Sequence, residues 1–347
     1  MSVSPPPAST PSPPPTLPSD GYNRTGLDFG RRLPPPPVAS PVIDCHTHLL
    51  SAHHAGTWFA CADHFGIDVT VTMTPLEEAL RVVRGPFAHR VALINVPSWG
   101  DVVDDPVRLY DEDLFLRRLD GYHNLGCRVV KFHQAPGSMS RHGLTLGSDR
   151  HRRLLDATVA SGSIIMSHIG DPQTWYDGKY AEDPATFGDR DTHYDAWERL
   201  LDDYRDHPWW GAHLGGWPEN LDRLQYLLDR FPNLWLDLSA AKWMVRTLSA
   251  QRDAAREFLI RNQDRIIWGS DQVSHADRGF DFYASRWWVH RKLFETAQVG
   301  ESPIEDPDGI DGGVELRGLA LPTEVLIKFY RTNVVRLLGS VGVSFTN

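Results

Sequence analysis

Beyond residue 41 the chain alternates between two hydrophobic rhythms. Short apolar runs at 42–50, 69–73, 91–96, 128–132, 164–167, 209–212, 234–238 and 266–268 have the length and composition of buried strands. Between them lie stretches with helical spacing. Thr74 and Pro75, with Glu77 and Glu78 in the first turn, open a helix to Val83. Leu114, Phe115, Leu116 and Leu119 mark another over 110–122, and further helices are expected at 149–160, 194–204, 218–230 and 252–262. A polar, Gly- and Pro-containing insertion at 170–191 separates the fifth strand from its helix. Eight strands, most followed by a helix, predict an α/β fold of the (β/α)8 TIM-barrel type, with the active face at the C-terminal ends of the strands. Residues 281–317 break the rhythm: Trp287 and Trp288 are followed by ESPIEDPDGIDGG, which reads as a lid over the mouth or a long excursion. A helix over 321–338 ends the domain.

The first 41 residues contain PPPASTPSPPPT and LPPPPVASP. Proline donates no backbone hydrogen bond and favours extended chain, so 1–40 is expected to be a disordered tail or a wrap, outside a barrel domain at 41–339. A docking strap for a proline-recognising partner is the other reading of this segment. It lacks the apolar block of a signal peptide, and no later run is long enough to span a bilayer. A formal charge of -10, from 45 acidic and 35 basic residues, argues against nucleic acid and anionic membranes as partners. Cys45, Cys61 and Cys127 are too few and too scattered for a disulfide framework. A soluble, cytoplasmic protein with a small-molecule substrate is the expectation.

The chemistry gathers at strand ends. In VIDCHTHLL, strand alternation puts Asp44, His46 and His48 on one face and turns Cys45 away into packing. Two imidazoles at a strand tip can grip one cation, although an HxH pair alone is equally consistent with hydrogen-bonded or surface histidines. His53, His54 and Trp58, just beyond, either line a pocket or pack as ordinary surface. The other strand ends offer Lys131 in VVKFH, His168 in MSHIGDP, His213 in GAHLGG and Asp271 in WGSD. His133 shares the parity of Lys131.

These pieces, with FPNLWLDLSA and the closing KFYRTNVVRLLG, make the chain resemble the amidohydrolase superfamily. The likeness is to the metal-dependent amidohydrolase-related group that includes aminocarboxymuconate-semialdehyde decarboxylase. The resemblance spans about 41–339. It implies His46, His48, His168 and Asp271 as ligands of one divalent metal, Zn2+ first and Mn2+ or Fe2+ as alternatives. His213 is then a catalytic histidine, and Asp271 also holds or deprotonates the metal-activated water. Lys131 has three readings: a carboxylated bridge between two metals, a cation for a substrate carboxylate, or a solvated strand-end lysine. His133, Trp175, His275 and Arg286 are candidate substrate contacts, and a homodimer is implied by the resemblance only. Hydrolysis of a small amide, lactone or ester comes first. Non-oxidative decarboxylation of an aromatic or unsaturated acid uses the same ligands, and a non-catalytic metal-binding barrel is the third reading.

Overall fold

The computed structural model describes residues 21–38, 41–97, 111–138 and 145–345. Strands β1 (Ile43–His48), β2 (Val69–Met73) and β3 (Val91–Ile94) pair in parallel, as do β4 (Val129–His133), β5 (Ile164–His168), β6 (Trp209–Gly211), β7 (Leu234–Asp237) and β8 (Ile266–Ile267). A parallel bridge from Asn95 to Val130 joins the two sets on one side. On the other, Cys45 donates to the Trp268 carbonyl and β9 (Gln272–Val273) pairs with β1, so the eighth strand is delivered in two pieces around a break at Gly269–Asp271. The result is the expected (β/α)8 barrel. Inside it, Val71, Met73, Ile94, Val129, Met166, Trp210 and Ile267 form one apolar cluster with Leu337 and Leu338 of the last helix. A larger cluster fills the layer between strands and helices.

Strand β1 departs from simple alternation. Its register to β2 runs Asp44 to Thr70 and then Thr47 to Thr72, so one extra residue is inserted on β1. Ile43 and Cys45 therefore join the inner apolar cluster, while Asp44 turns outward and accepts from Ser270 N, Ser270 Oγ and Trp287 Nε1. The expected common face of Asp44, His46 and His48 is thus corrected: the bulge keeps His46 and His48 at the site and excludes Asp44. Burial pushes the Asp44 carboxyl up to about 6 against those three donors.

The stretch 281–317 also differs from expectation. Its first half is a helix, Phe280–Glu295, and its second a hairpin of β10 (Val299–Glu301) and β11 (Glu315–Arg317) carrying the loop 302–314. Trp287 is fully buried and bonded to Asp44, so it roofs nothing. Trp58 packs edge-on against it at 5.5 Å, which places Trp58 in the core rather than at a pocket. His53 is exposed, and His54 Nδ1 lies 2.8 Å from Ser274 Oγ. The insertion after β5 holds two short helices, Gln173–Asp177 and Pro184–Phe187. Of the proline-rich segment, residues 1–20 lie outside the described residues. Residues 21–38 run along the barrel as a wrap, with Phe29 buried and Pro34 O accepting from Arg291 Nη2 at 2.6 Å. No helix among the described residues is long and apolar enough to cross a membrane.

Candidate metal centre

His46 is the hub. Its Nδ1 meets Asp237 Oδ2 at 2.8 Å, its Nε2 lies 3.2 Å from Asp271 Oδ1, and Lys131 Nζ approaches that same Nε2 at 2.9 Å. His48 Nε2 reaches Asp271 Oδ1 at 2.8 Å. His213 enters from β6: its backbone N–H donates to Asp237 Oδ1 at 2.9 Å and its Nδ1 lies 2.8 Å from Ser239 Oγ. The Ser239 hydroxyl donates to Asp237 Oδ1, so it accepts from His213 Nδ1–H and leaves Nε2 as the free lone pair of that ring. One carboxylate, Asp237, therefore orients two imidazoles from behind. Trp210 Nε1, at 2.7 Å, completes its shell.

Local backbone geometry serves this arrangement. His213 and Leu214 take φ of 54° and 52°, followed by Gly215 and Gly216 at 64° and 75°, a left-handed turn that non-glycine residues rarely adopt. A Cβ on Gly216 would stand 2.5 Å from Gly170 N, so the two glycines bring the His213 turn against the loop after His168. Asp271 is also left-handed, φ 57°. Beside it, a Cβ on Gly269 would lie 2.5 Å from His46 Cβ. The break in the eighth strand is what swings Asp271 toward the histidines.

The charges suit a cation. Burial opposes ionisation of Asp271, yet His46 and the bonds from His46 and His48 outweigh it and hold the carboxyl well below its ordinary value. Burial lowers His48 to about 4 and drives His213 far down, so both rings are neutral and able to donate electron pairs. Burial also lowers Lys131, against the pull of Asp271 and Asp237. His46, His213 and Asp271 offer ligand atoms within 4.8 Å of one another. Two nitrogens and a carboxylate oxygen, with His46 backed by Asp237, match the donor set of a catalytic divalent metal with a coordination position left over for water.

The remaining expected residues fall around this group. His168 stands with its ring 4.5 Å from that of His213, but its Nε2 turns to Asp171 Oδ1 at 3.3 Å, and Tyr180 donates to the other oxygen of Asp171 at 2.5 Å. His133 lies behind, 5.6 Å from the His168 ring. Trp175, His275 and Arg286 line the cavity of about 490 Å³ that opens onto His213 and Asp271. Nothing in the sequence pattern singles out Asp237 and Ser239, although Asp237 ends β7 as Asp271 follows β8. Lys242, Trp243 and Arg246, equally unmarked in the sequence, line the cavity from the helix Ala241–Ala250.

The amidohydrolase family profile matches residues 43–340. The chain belongs to the amidohydrolase family. It is a metal-dependent enzyme of that superfamily, with its candidate metal site at His46, His213 and Asp271. No curated protein matches it in sequence. Among solved structures, this amidohydrolase is similar to 2,6-dihydroxybenzoate decarboxylase from Rhizobium, at 13% identity, TM-score 0.53, and coverage of 88% of this chain and 100% of the other. It is also similar to a probable 2-pyrone-4,6-dicarboxylic acid hydrolase from Acinetobacter baumannii, at 12% identity, TM-score 0.51, and coverage of 86% and 100%. At such identities the likeness is one of fold.

Proposed function

We propose that this amidohydrolase hydrolyses a small lactone, ester or amide that carries a carboxylate, using one divalent metal held by His46, His213 and Asp271. The observation that carries this reading is the convergence of His46, His213 and Asp271, whose ligand atoms lie within 4.8 Å of one another, with His213 and Asp271 facing the cavity. A bound cation would polarise the substrate carbonyl and lower the pKa of water toward about 7. Asp271 is placed to take the proton of the attacking water and return it to the leaving group, because its carboxylate stays ionised in spite of burial. His48 secures Asp271 through the 2.8 Å contact. His168 stands beside the group with its Nε2 3.3 Å from Asp171 Oδ1, a carboxylate placed to orient the ring toward a substrate. This exchanges the roles that the resemblance gave to His168 and His213. Purified H213N that kept a full complement of metal would restore the earlier division.

Decarboxylation is the second reading, favoured by the rings of Trp175, Trp243 and Phe282 on the cavity walls, which suit an aromatic acid. The names of the two similar structures, one a decarboxylase and one a hydrolase of ring acids, support a small ring acid under either chemistry. Turnover of lactones and hydroxybenzoates in ¹⁸O-water separates them. Hydrolysis places one solvent oxygen in the product carboxylate or acid. Release of carbon dioxide with no solvent oxygen in the organic product would sink the hydrolytic reading.

A further inference from the structure

Three basic side chains face the cavity from two helices, and they are not equivalent. Arg246, on the helix Ala241–Ala250, is neutralised: its Nη1 donates to Asp306 and its Nη2 lies 3.5 Å from Asp308 Oδ2, both carried by the loop 302–314. Lys242, one turn earlier, and Arg286, on the helix Phe280–Glu295, have no such partner. Among the described residues no carboxylate oxygen lies within 4.0 Å of either one's nitrogens. Arg286 is nevertheless fixed in place. Its guanidinium lies 3.6 Å over the Phe282 ring, and its Nη1 donates to Phe282 O at 3.1 Å and Ser285 Oγ at 3.0 Å. That leaves other N–H groups of a planar fork directed elsewhere.

Electrostatics agrees with the geometry. Burial, followed by the neighbouring Arg278, pushes Arg286 down to about 9, still charged at neutral pH. Burial, followed by Arg286 itself, lowers Lys242 against the opposing pull of Asp306, Glu305 and Asp308, so the two cations act on each other across the cavity wall. Two cations with no carboxylate in contact, in a partly desolvated wall, are stabilised when an anion sits between them. An arginine fork beside a lysine point charge is the pairing that receives a carboxylate. The Phe282 and Trp243 rings next to them would cover a flat apolar body attached to it.

We propose that Lys242 and Arg286 form a carboxylate subsite, separate from the Asp271 centre, that selects substrates bearing a second anionic group beside the one presented to the metal. The substrate class is therefore a small di-acid, or an acid whose reacting group is a lactone or ester. The proposal rests on the reading of this cavity as the active site, but its test does not depend on which reaction takes place there.

The experiment is a titration of the full chain, as purified, with benzoate and with isophthalate, followed by calorimetry or by the fluorescence of the wall tryptophans. Both probes present one carboxylate and one ring, and only isophthalate presents a second carboxylate. Wild type should prefer isophthalate by about tenfold or more. K242M and R286M should each bring the two affinities within about twofold while the melting temperature stays within a few degrees of wild type, and R286K should recover part of the preference. The unchanged melting temperature shows that the barrel is still folded. Equal affinities in wild type, no binding of isophthalate at all, or a preference that survives in both variants would overturn the subsite. Failure of this test leaves the ¹⁸O result standing, and the converse also holds.

Discussion

Burial decides which histidines of this protein can carry a proton, and His151 shows it away from the site. The ring is fully buried at the N-terminal turn of the helix Asp149–Ala160. Gly147 N–H donates to its Nδ1 at 3.0 Å, so Nδ1 is an acceptor and Nε2 carries the hydrogen, and the Gln134 side-chain amide at 2.6 Å accepts it only with its oxygen turned to the ring. Protonation would set Nδ1–H against Gly147 N–H. Burial, with Arg152 nearby, holds the ring down at about 3. The unfolded chain takes up a proton near pH 6.5 and the folded chain does not, so the unfolded state binds more protons between those values. Stability is then complete above about pH 6.5 and falls by about 1.4 kcal/mol for each pH unit below it, until about pH 3. H151Q should lose stability near pH 7 by breaking the Gly147 bond, yet show a shallower decline on acidification. Denaturant midpoints from pH 7 to 4 would measure both slopes, and parallel slopes would refute the account. The sequence revealed His46, His48, His213 and Asp271 because polar side chains ending apolar strands stand out. Asp237 obeys the same rule in LWLDLSA, but a lone carboxylate without an imidazole neighbour carries a weaker chemical signature.

Two irregular strands build the centre, and the irregularity of β1 was not legible. Alternation is a rule for regular strands, and the extra residue between Asp44 and Thr47 inverts it in mid-strand without any proline or glycine to mark the place. The break after β8 does leave a trace, the glycine of WGSD. Its reason is steric, since a Cβ at Gly269 would stand 2.5 Å from His46 Cβ and 2.7 Å from His46 N. G269A must push β1 away from the Asp271 turn. We expect a loss of about 1–3 kcal/mol, the usual penalty of overpacking, together with a fall in metal content, because His46 and Asp271 move apart. Thermal melting and elemental analysis of the purified variant would check it; a stable variant with full metal would show that the close approach is incidental. The unforeseen helix Ala241–Ala250 lacks a start signal: Ala240 precedes it at φ 82° with no capping side chain. The helix Phe280–Glu295 follows the uncapped Gly279 and is buried around much of its circumference, so it shows little amphipathic contrast. Lys242 and Arg246 were hidden with the first of these elements, and Arg286, a candidate substrate contact from the sequence, could not be grouped with them.

At the scale of the whole molecule, alternation of strands and helices was enough to read the barrel, because eight such units close in few ways. How the N-terminal segment uses the barrel was not readable, since proline-rich chain has no periodicity to match to a surface. In the structure it braces the hairpin at the cavity mouth. Arg24 N–H donates to Pro303 O at 2.8 Å, Glu305 N–H to Gly21 O at 2.9 Å, and the Arg24 guanidinium to Asp311 O at 3.1 Å and Glu301 at 3.3 Å. Tyr22 meets Phe282 edge-on at 5.9 Å. The same hairpin loop supplies Asp306, Pro307 and Asp308 to the cavity wall, and Asp306 and Asp308 occupy Arg246. The exposed ion pair alone is worth little, on the order of 0–1 kcal/mol, whereas backbone bonds from both sides fix the loop's position. Deleting residues 1–26 removes these contacts and keeps the buried Phe29. The barrel should therefore melt within a few degrees of the full chain, while amides of 302–314 exchange with solvent at least tenfold faster and isophthalate binds more weakly. Exchange in that loop unchanged by the deletion would show that Arg246 alone holds it and that the wrap serves only the outer core.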